Sequence, residues 1–411
     1  MNQDYLIKKK PMYALALFAL PMIIGNLFQQ AYTIVDSAIV GHYVGETALA
    51  AVGASYALTS IFICVAIGGG IGASVIISQH FGGHAYSRMK TSIRTAMLSF
   101  LLISLLLGGI GLCFSRQIME ALNTPADAMD IAVIYLNIYF YGLPFLFMYN
   151  ILSSMFNALG ESRIPLYLLI FSSVLNIFLD LYMVATLHLG VAGAAYATFI
   201  GQGISAVCSF LIFLHTLRRL DGKAETWFSK AEFSSMSRIA LPSILQQSTV
   251  SIGMMLVQSV VNGFGTQILA GFSAGMRIES LCVVPMAAIG NALSSYTAQN
   301  IGAEKHERIS LGYRTANIMV AITAIILCLF LELLHRPLIA LFLDGAPSAQ
   351  TVATGEGYQR FIGFFFCMIG FKMAVDGILR GAGAVKVFTI ANLVNLGLRV
   401  LIAKLGAPVY G

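Results

Sequence analysis

The chain has 411 residues, 58% of them hydrophobic and only 10% charged, with a formal net charge of +6, whereas soluble globular chains carry roughly a quarter charged residues. That balance excludes a soluble domain, and the modest positive charge, scattered between apolar stretches, excludes a basic nucleic-acid-binding module. The apolar residues recur in runs of about 20 to 30, enough to cross about 30 Å of hydrocarbon at about 1.5 Å per residue, and they do not alternate as barrel strands do.

Taken in chain order, the runs predict eleven transmembrane helices near residues 14–39, 48–77, 92–114, 130–157, 164–187, 190–216, 239–261, 267–297, 314–333, 357–379 and 387–405. The first run is too long for a signal-peptide core and is read as a span. With the amino terminus in the cytoplasm, the inner loops collect Lys8, Lys9, Lys10, Arg88, Lys90, Arg94, Arg163, Arg218, Arg219, Lys223, Lys230, Arg238, Lys305, Arg308, Arg314, Arg380 and Lys386, which is 17 of the 24 basic residues. Positive charge is retained on the cytoplasmic side, so this orientation, in an inner (cytoplasmic) membrane, is the expected one. The six cysteines stand singly in apolar stretches and read as small buried hydrophobes, with no disulfide or zinc spacing among them. The seven histidines fall in loops or at span ends, where solvation at the interface is the expected role. No Walker loop, HExxH or Ser/His/Asp constellation points to an enzyme.

Sliding the sequence on itself exposes a repeat. Ala19-Leu20-Pro21 meets Ala240-Leu241-Pro242 at a shift of 221, and Gln79, Gly82, Arg88, Arg94, Thr95 and Ala96 meet Gln299, Gly302, Arg308, Arg314, Thr315 and Ala316 at a shift of 220. Polar loop residues at identical spacing cannot arise from hydrophobicity alone, so the chain is duplicated. Six spans separate equivalent points, which makes the halves parallel and implies a pseudo-twofold axis along the membrane normal. The predicted organisation is an all-α polytopic membrane protein: an N-lobe over residues 1–216 with helices one to six, a cytoplasmic connector over 217–238 read as a solvated linker, and a C-lobe over 239–411 with helices seven to eleven. The counterpart of span six would begin near residue 410, so a twelfth helix is missing: either the second lobe has five helices or, as the repeat favours, the uninterrupted chain is expected to run to about 440 residues.

Two parallel lobes, the Gln79-x-x-Gly82 and Gln299-Asn300-Ile301-Gly302-Ala303 loops, and Leu379-Arg380-Gly381-Ala382-Gly383 together resemble the multidrug and toxic compound extrusion (MATE) transporters. Asp36 on helix one, Asn176 and Asp180 on helix five and Thr198 on helix six are similar to the cation-coupling site of the DinF-like and archaeal branch. The resemblance implies export of amphipathic, often cationic organic compounds driven by sodium or protons, without another cofactor. The expected partners are small organic substrates and the lipid bilayer, with the chain acting as a monomer.

Counting depth along the spans puts Asp36, Asn176, Asp180 and Thr198 in one layer of the outer half of the first lobe. Ionisable groups in a span cost several kcal/mol unless they face a cavity or a partner, and carboxylate, amide and hydroxyl oxygens suit a hard ion such as Na+. Two carboxylates could instead share a proton, or simply tie helices one and five together. Pro21 removes a backbone donor and permits a bend in helix one; Pro242 does the same in helix seven. Gln29, Gln30 and Asn150 in the first lobe and Gln246, Gln247 and Asp376 in the second are candidate substrate-cavity residues, with Lys372 one turn before Asp376 offering it an ion pair. The second lobe has no counterpart of Asp36 and Asp180, so coupling is expected to be asymmetric. A flippase for lipid-linked saccharides would want a basic cavity, and a channel or membrane scaffold is the rival from outside transport by alternating access.

Overall fold

In hydrocarbon every backbone N–H and C=O must be satisfied within its own segment, which leaves a continuous apolar run little choice but the α-helix. The computed structural model, which describes residues 4–44, 46–122, 124–343 and 348–410, follows that rule. A short amphipathic α1 (Tyr5–Lys8) precedes α2 (Pro11–Val44), α3 (Glu46–Gly82), α4 (Tyr86–Ala121), α5 (Ala126–Ala158), α6 (Arg163–Asp180), α7 (Gly190–Arg218), α8 (Lys230–Val261), α9 (Thr266–Gly302), α10 (His306–Ala340), α11 (Ala349–Gly381) and α12 (Val385–Tyr410). Eleven stretches among the described residues are long and apolar enough to cross a membrane, and each coincides with one span read from the sequence.

Packing divides the chain elsewhere than the repeat does. One compact unit takes Ile24–Ile244, and the other combines Asn2–Ile23 with Leu245–Gly411. Both crossings lie inside a helix, two residues beyond Pro21 in α2 and two beyond Pro242 in α8. The first unit thus holds the later part of α2, all of α3 to α7 and the start of α8; the second holds the start of α2, the rest of α8 and α9 to α12.

Each borrowed helix start is fastened inside its unit by the repeated polar loop. In the first unit the carboxylate of Glu232, on the first turn of α8, accepts from Ser92 Oγ at 2.8 Å and Arg88 at 3.4 Å and lies 3.0 Å from His80 Nε2. In the second, Arg308, the repeat mate of Arg88, donates from Nε to Asn300 Oδ1 at 3.0 Å and from Nη2 to the carbonyls of Leu6 and Lys9. His80 is therefore a partner of the buried Glu232 carboxylate and not a merely solvated interfacial group. The connector is docked as well: Glu225 and Ser229 donate their backbone N–H groups to Thr91 and Thr95, Lys90 donates to the carbonyls of Leu220 and Gly222, and Arg94 stacks 4.6 Å over the Trp227 ring. It is pinned to the first unit because Thr91 and Thr95 supply acceptors to its backbone, while residues 221–223 and 225–228 stay exposed, in keeping with the solvated linker read from the sequence. Glu232→Ala removes a buried acceptor shared by three groups and is expected to cost about 2 kcal/mol, whereas Arg88→Ala, with the Arg88 side chain 62% exposed, costs well under that; thermal unfolding of the purified protein checks the order.

Small residues let the helices approach. A Cβ on Gly68 of α3 would lie 2.5 Å from the backbone N of Ile244, and one on Gly72 2.6 Å from the carbonyl oxygen of Met236, so α3 lies directly against the start of α8 within the first unit. In the second unit α9 and α11 meet the same way: a Cβ on Gly290 would come within 2.6 Å of the Met373 carbonyl. Lipid gives helices no hydrophobic reason to associate, so close backbone approach is the main attraction available. Ala14, Leu15, Phe18 and Ala19 of α2 pack with Ile289, Leu293 and Tyr296 of α9 and Ala316 and Val320 of α10 to form the buried cluster of the second unit.

Candidate functional site

The acids read from the sequence meet in the first unit. Helix α6 ends its regular α geometry at Asp180 and continues as a π-helical turn over Leu181–Thr186, a distortion that recurs at functional sites because it re-aims side chains. Asp180 is fully buried, and neither of its carboxyl oxygens has a hydrogen-bond partner. Asp36 of α2 also has a buried, unpartnered oxygen, Oδ1. The two carboxyl groups lie close enough to interact electrostatically, and each also interacts electrostatically with Tyr32 and Tyr135. Burying two carboxyl groups without donors is expensive, so the arrangement is poised for a proton or a cation.

The neutral members form a chain alongside. Tyr32 donates its hydroxyl to Asn176 Oδ1 at 2.8 Å, and Asn176 Nδ2 donates to Thr198 Oγ1 at 3.4 Å, with Asn176 only 4% exposed. Four elements therefore converge: α2 brings Tyr32 and Asp36, α5 brings Tyr135, α6 brings Asn176 and Asp180, and α7 brings Thr198. A cavity of about 20 Å³, lined by Tyr135, Tyr139, Thr198 and Gln202 among others, adjoins them and has room for about one water. A larger, mostly apolar cavity of about 290 Å³ lies in the same unit, lined by Val44, Ile131, Ile134 and Leu189–Ala192.

The sequence reading missed Tyr32, Tyr135 and Tyr139. Tyr32 carried a usable signal, because it stands four residues before Asp36 and so shares its helical face; the tyrosines of α5 carried none, since an aromatic residue in a span reads as packing.

The remaining candidates scatter. Pro21 lies inside α2, just short of the crossing between units. Gln29 is exposed and Gln30 half-buried, and Gln29 contributes its backbone carbonyl to Thr33. Asn150 turns its amide back onto the Leu146 carbonyl of its own helix at 2.8 Å. In the second unit Gln247 is half-buried, while Gln246 and Asp376 are buried and joined, Gln246 Nε2 donating to Asp376 Oδ2 at 2.7 Å. Lys372 pairs with the same carboxylate oxygen, so the expected ion pair forms and the second unit's acid, unlike those of the first, is satisfied. Tyr358 of α11 also donates to the Glu279 carboxylate of α9, a pairing the sequence did not suggest.

Comparison with known proteins bears on the family and the fold. The profile of the MatE family matches residues 21–182 and 242–405, one match in each half. A Bacillus subtilis (strain 168) protein described as a probable multidrug resistance protein, YpnP, is 31% identical over 383 residues, which covers 93% of this chain and 85% of that one. Among solved structures, MATE in complex with MaL6 aligns with a TM-score of 0.88 at 23% identity over 98% of this chain and 91% of that chain, and an outward-facing multidrug resistance MATE transporter of the MOP superfamily aligns with a TM-score of 0.82 at 22% identity over 99% and 98%. A family match to both halves, a relative aligned over most of both chains and a shared fold leave one assignment: the chain belongs to the MATE family of multi-pass membrane transporters, and is not an enzyme.

Proposed function

We propose that this transporter is a secondary antiporter of the inner membrane, with its amino terminus in the cytoplasm, that exports amphipathic, often cationic organic compounds in exchange for inward Na+ or H+. The observation that carries the reading is the pair Asp36 and Asp180, in which both Asp180 carboxyl oxygens and Asp36 Oδ1 are buried without partners, beside a chain of neutral oxygens on Tyr32, Asn176 and Thr198. A cation arriving there satisfies oxygens that are otherwise orphaned, and its departure restores the cost, so occupancy biases α2, α6 and α7 between two arrangements. Each inward charge contributes about 2.3 kcal/mol per 100 mV of membrane potential. Relatives described as probable multidrug resistance proteins support the class of cargo. The saccharide flippase is less well supported, because Lys372, one of its candidate phosphate-binding residues, is already neutralised by Asp376.

Purified protein in proteoliposomes, loaded with an organic dye under an imposed sodium or proton gradient, tests the reading. Saturable, gradient-driven movement is expected with one of the two ions, and dye flux indifferent to both gradients would refute it. Tyr32→Phe, Asn176→Ala and Thr198→Val each remove one neutral oxygen or its support and are expected to raise the ion concentration needed for half-maximal transport about threefold to tenfold, by about 1 kcal/mol of lost coordination. Asp376→Asn is expected to keep substantial gradient-driven transport.

A further inference from the structure

The second unit contains one acid whose surroundings differ from those of Asp36 and Asp180 in a telling way. Asp376 of α11 has a side chain only 5% exposed and gathers three other side chains: Lys372 one turn earlier, Gln246 of α8 and Asn392 of α12. Lys372 Nζ also donates to Asn392 Oδ1 at 2.8 Å, so the ammonium sits between a carboxylate oxygen and an amide oxygen. Gln246, 92% buried since its exposure is 8%, turns Nε2 to the carboxylate and leaves Oε1 with no partner. Arg380, the other cation nearby, donates to the backbone carbonyl of Asp376 and directs Nη2 to Asn291 Oδ1 at 2.9 Å, and it makes no hydrogen bond to the carboxylate.

A carboxylate oxygen and the Asn392 amide oxygen hold the single positive charge, and Gln246, bonded to the same carboxylate, carries a further amide oxygen; oxygen donors of this kind suit a hard monovalent metal ion. Here the charge is supplied by the chain. We propose that Lys372 is a tethered cation filling an oxygen-lined sodium site in the second unit, so that this unit takes no ion from solution and only the first unit's acids exchange one. The ammonium is held by a flexible four-carbon stem, and the Lys372 side chain is 36% exposed, so its removal opens the carboxylate to solution without removing an oxygen donor. Orphaned Gln246 Oε1 is the donor that an ammonium with two bonds in this cluster leaves unused and that a metal ion would recruit. The consequence for ion stoichiometry rests on the antiporter reading above; the latent site does not.

The test uses the full-length protein purified in detergent, with tracer sodium binding as readout. Asp36→Asn/Asp180→Asn serves as the background, so that first-unit binding is measured separately. Adding Lys372→Met, or Lys372→Ala as a second neutral variant, is expected to create saturable binding of one further sodium ion per chain, which Asp376→Asn then abolishes; Lys372→Arg is expected to create none. Thermal stability of the neutral variants should rise with sodium concentration, while that of Lys372→Arg stays flat. No added sodium binding in either neutral variant would overturn the proposal, as would failure of both to fold at every sodium concentration, because sodium would then not replace the ammonium. Residual ion binding in the background alone would instead count against the first-unit coupling site.

Discussion

Asp36→Asn and Asp180→Asn are each expected to abolish ion-driven export, lowering gradient-dependent dye transport at least a hundredfold, while leaving the protein inserted and folded. Asparagine keeps the size and much of the hydrogen bonding of aspartate but carries no titratable charge, so it removes what a membrane-buried acid is retained for. A hundredfold loss corresponds to about 2.7 kcal/mol, the range expected when a buried cation loses one of two carboxylates. Folding should survive, and even improve, because both Asp180 carboxyl oxygens and Asp36 Oδ1 lack partners in any case. Tracer sodium and proton uptake should fall together with transport. Wild-type export rates in both variants, with Asp376→Asn inactive, would move the coupling site to the second unit.

Gly290→Leu is expected to lose most of the folded protein, by about 3 kcal/mol or more. The first carbon added would lie 2.6 Å from the Met373 carbonyl oxygen and 3.1 Å from its carbon, both backbone atoms that cannot swing aside, so α9 and α11 must separate along their shared face. Overpacking of this kind typically costs 1–3 kcal/mol in a soluble core, and the cost is greater here because close approach is the chief attraction between these helices. Gly109→Ala in α4 is the matched control: nothing lies within 4 Å of the added carbon, and alanine is expected to stabilise that helix by about 0.5–1 kcal/mol. Yield of monodisperse protein and its thermal midpoint distinguish the two.

The spans were legible because a membrane leaves the backbone few options, and hydropathy reports that constraint directly. The acids of the first unit were legible for the same reason: an aspartate within an apolar run stands out against everything around it. Tyr135 was not, since its role depends on α5 lying near α2 and α6, and no periodicity encodes which helices become neighbours. The crossings after Pro21 and Pro242 were half legible. Both prolines announced a break, but a break does not say with which unit the preceding turns will pack; that is decided by partners such as Arg308 and Asn300, some 300 residues away from Leu6. Docking of the connector was hard to see for a related reason: apart from the Trp227 ring under Arg94, its anchors are backbone N–H and C=O groups that any sequence possesses.

The crossings also bear on ancestry. If a half-length gene was doubled to make this chain, its product began with a helical segment that the present architecture packs into the other repeat's unit, residues up to Ile23 with the second and Leu245's predecessors with the first. A lone ancestral copy would have left that segment without its seat, and two copies exchanging segments would have filled both seats at once, as in a domain-swapped dimer. Fusion then did not invent the interlocked arrangement but made it permanent, and a modern chain cut within the connector should reassemble from its two fragments only when both are made together.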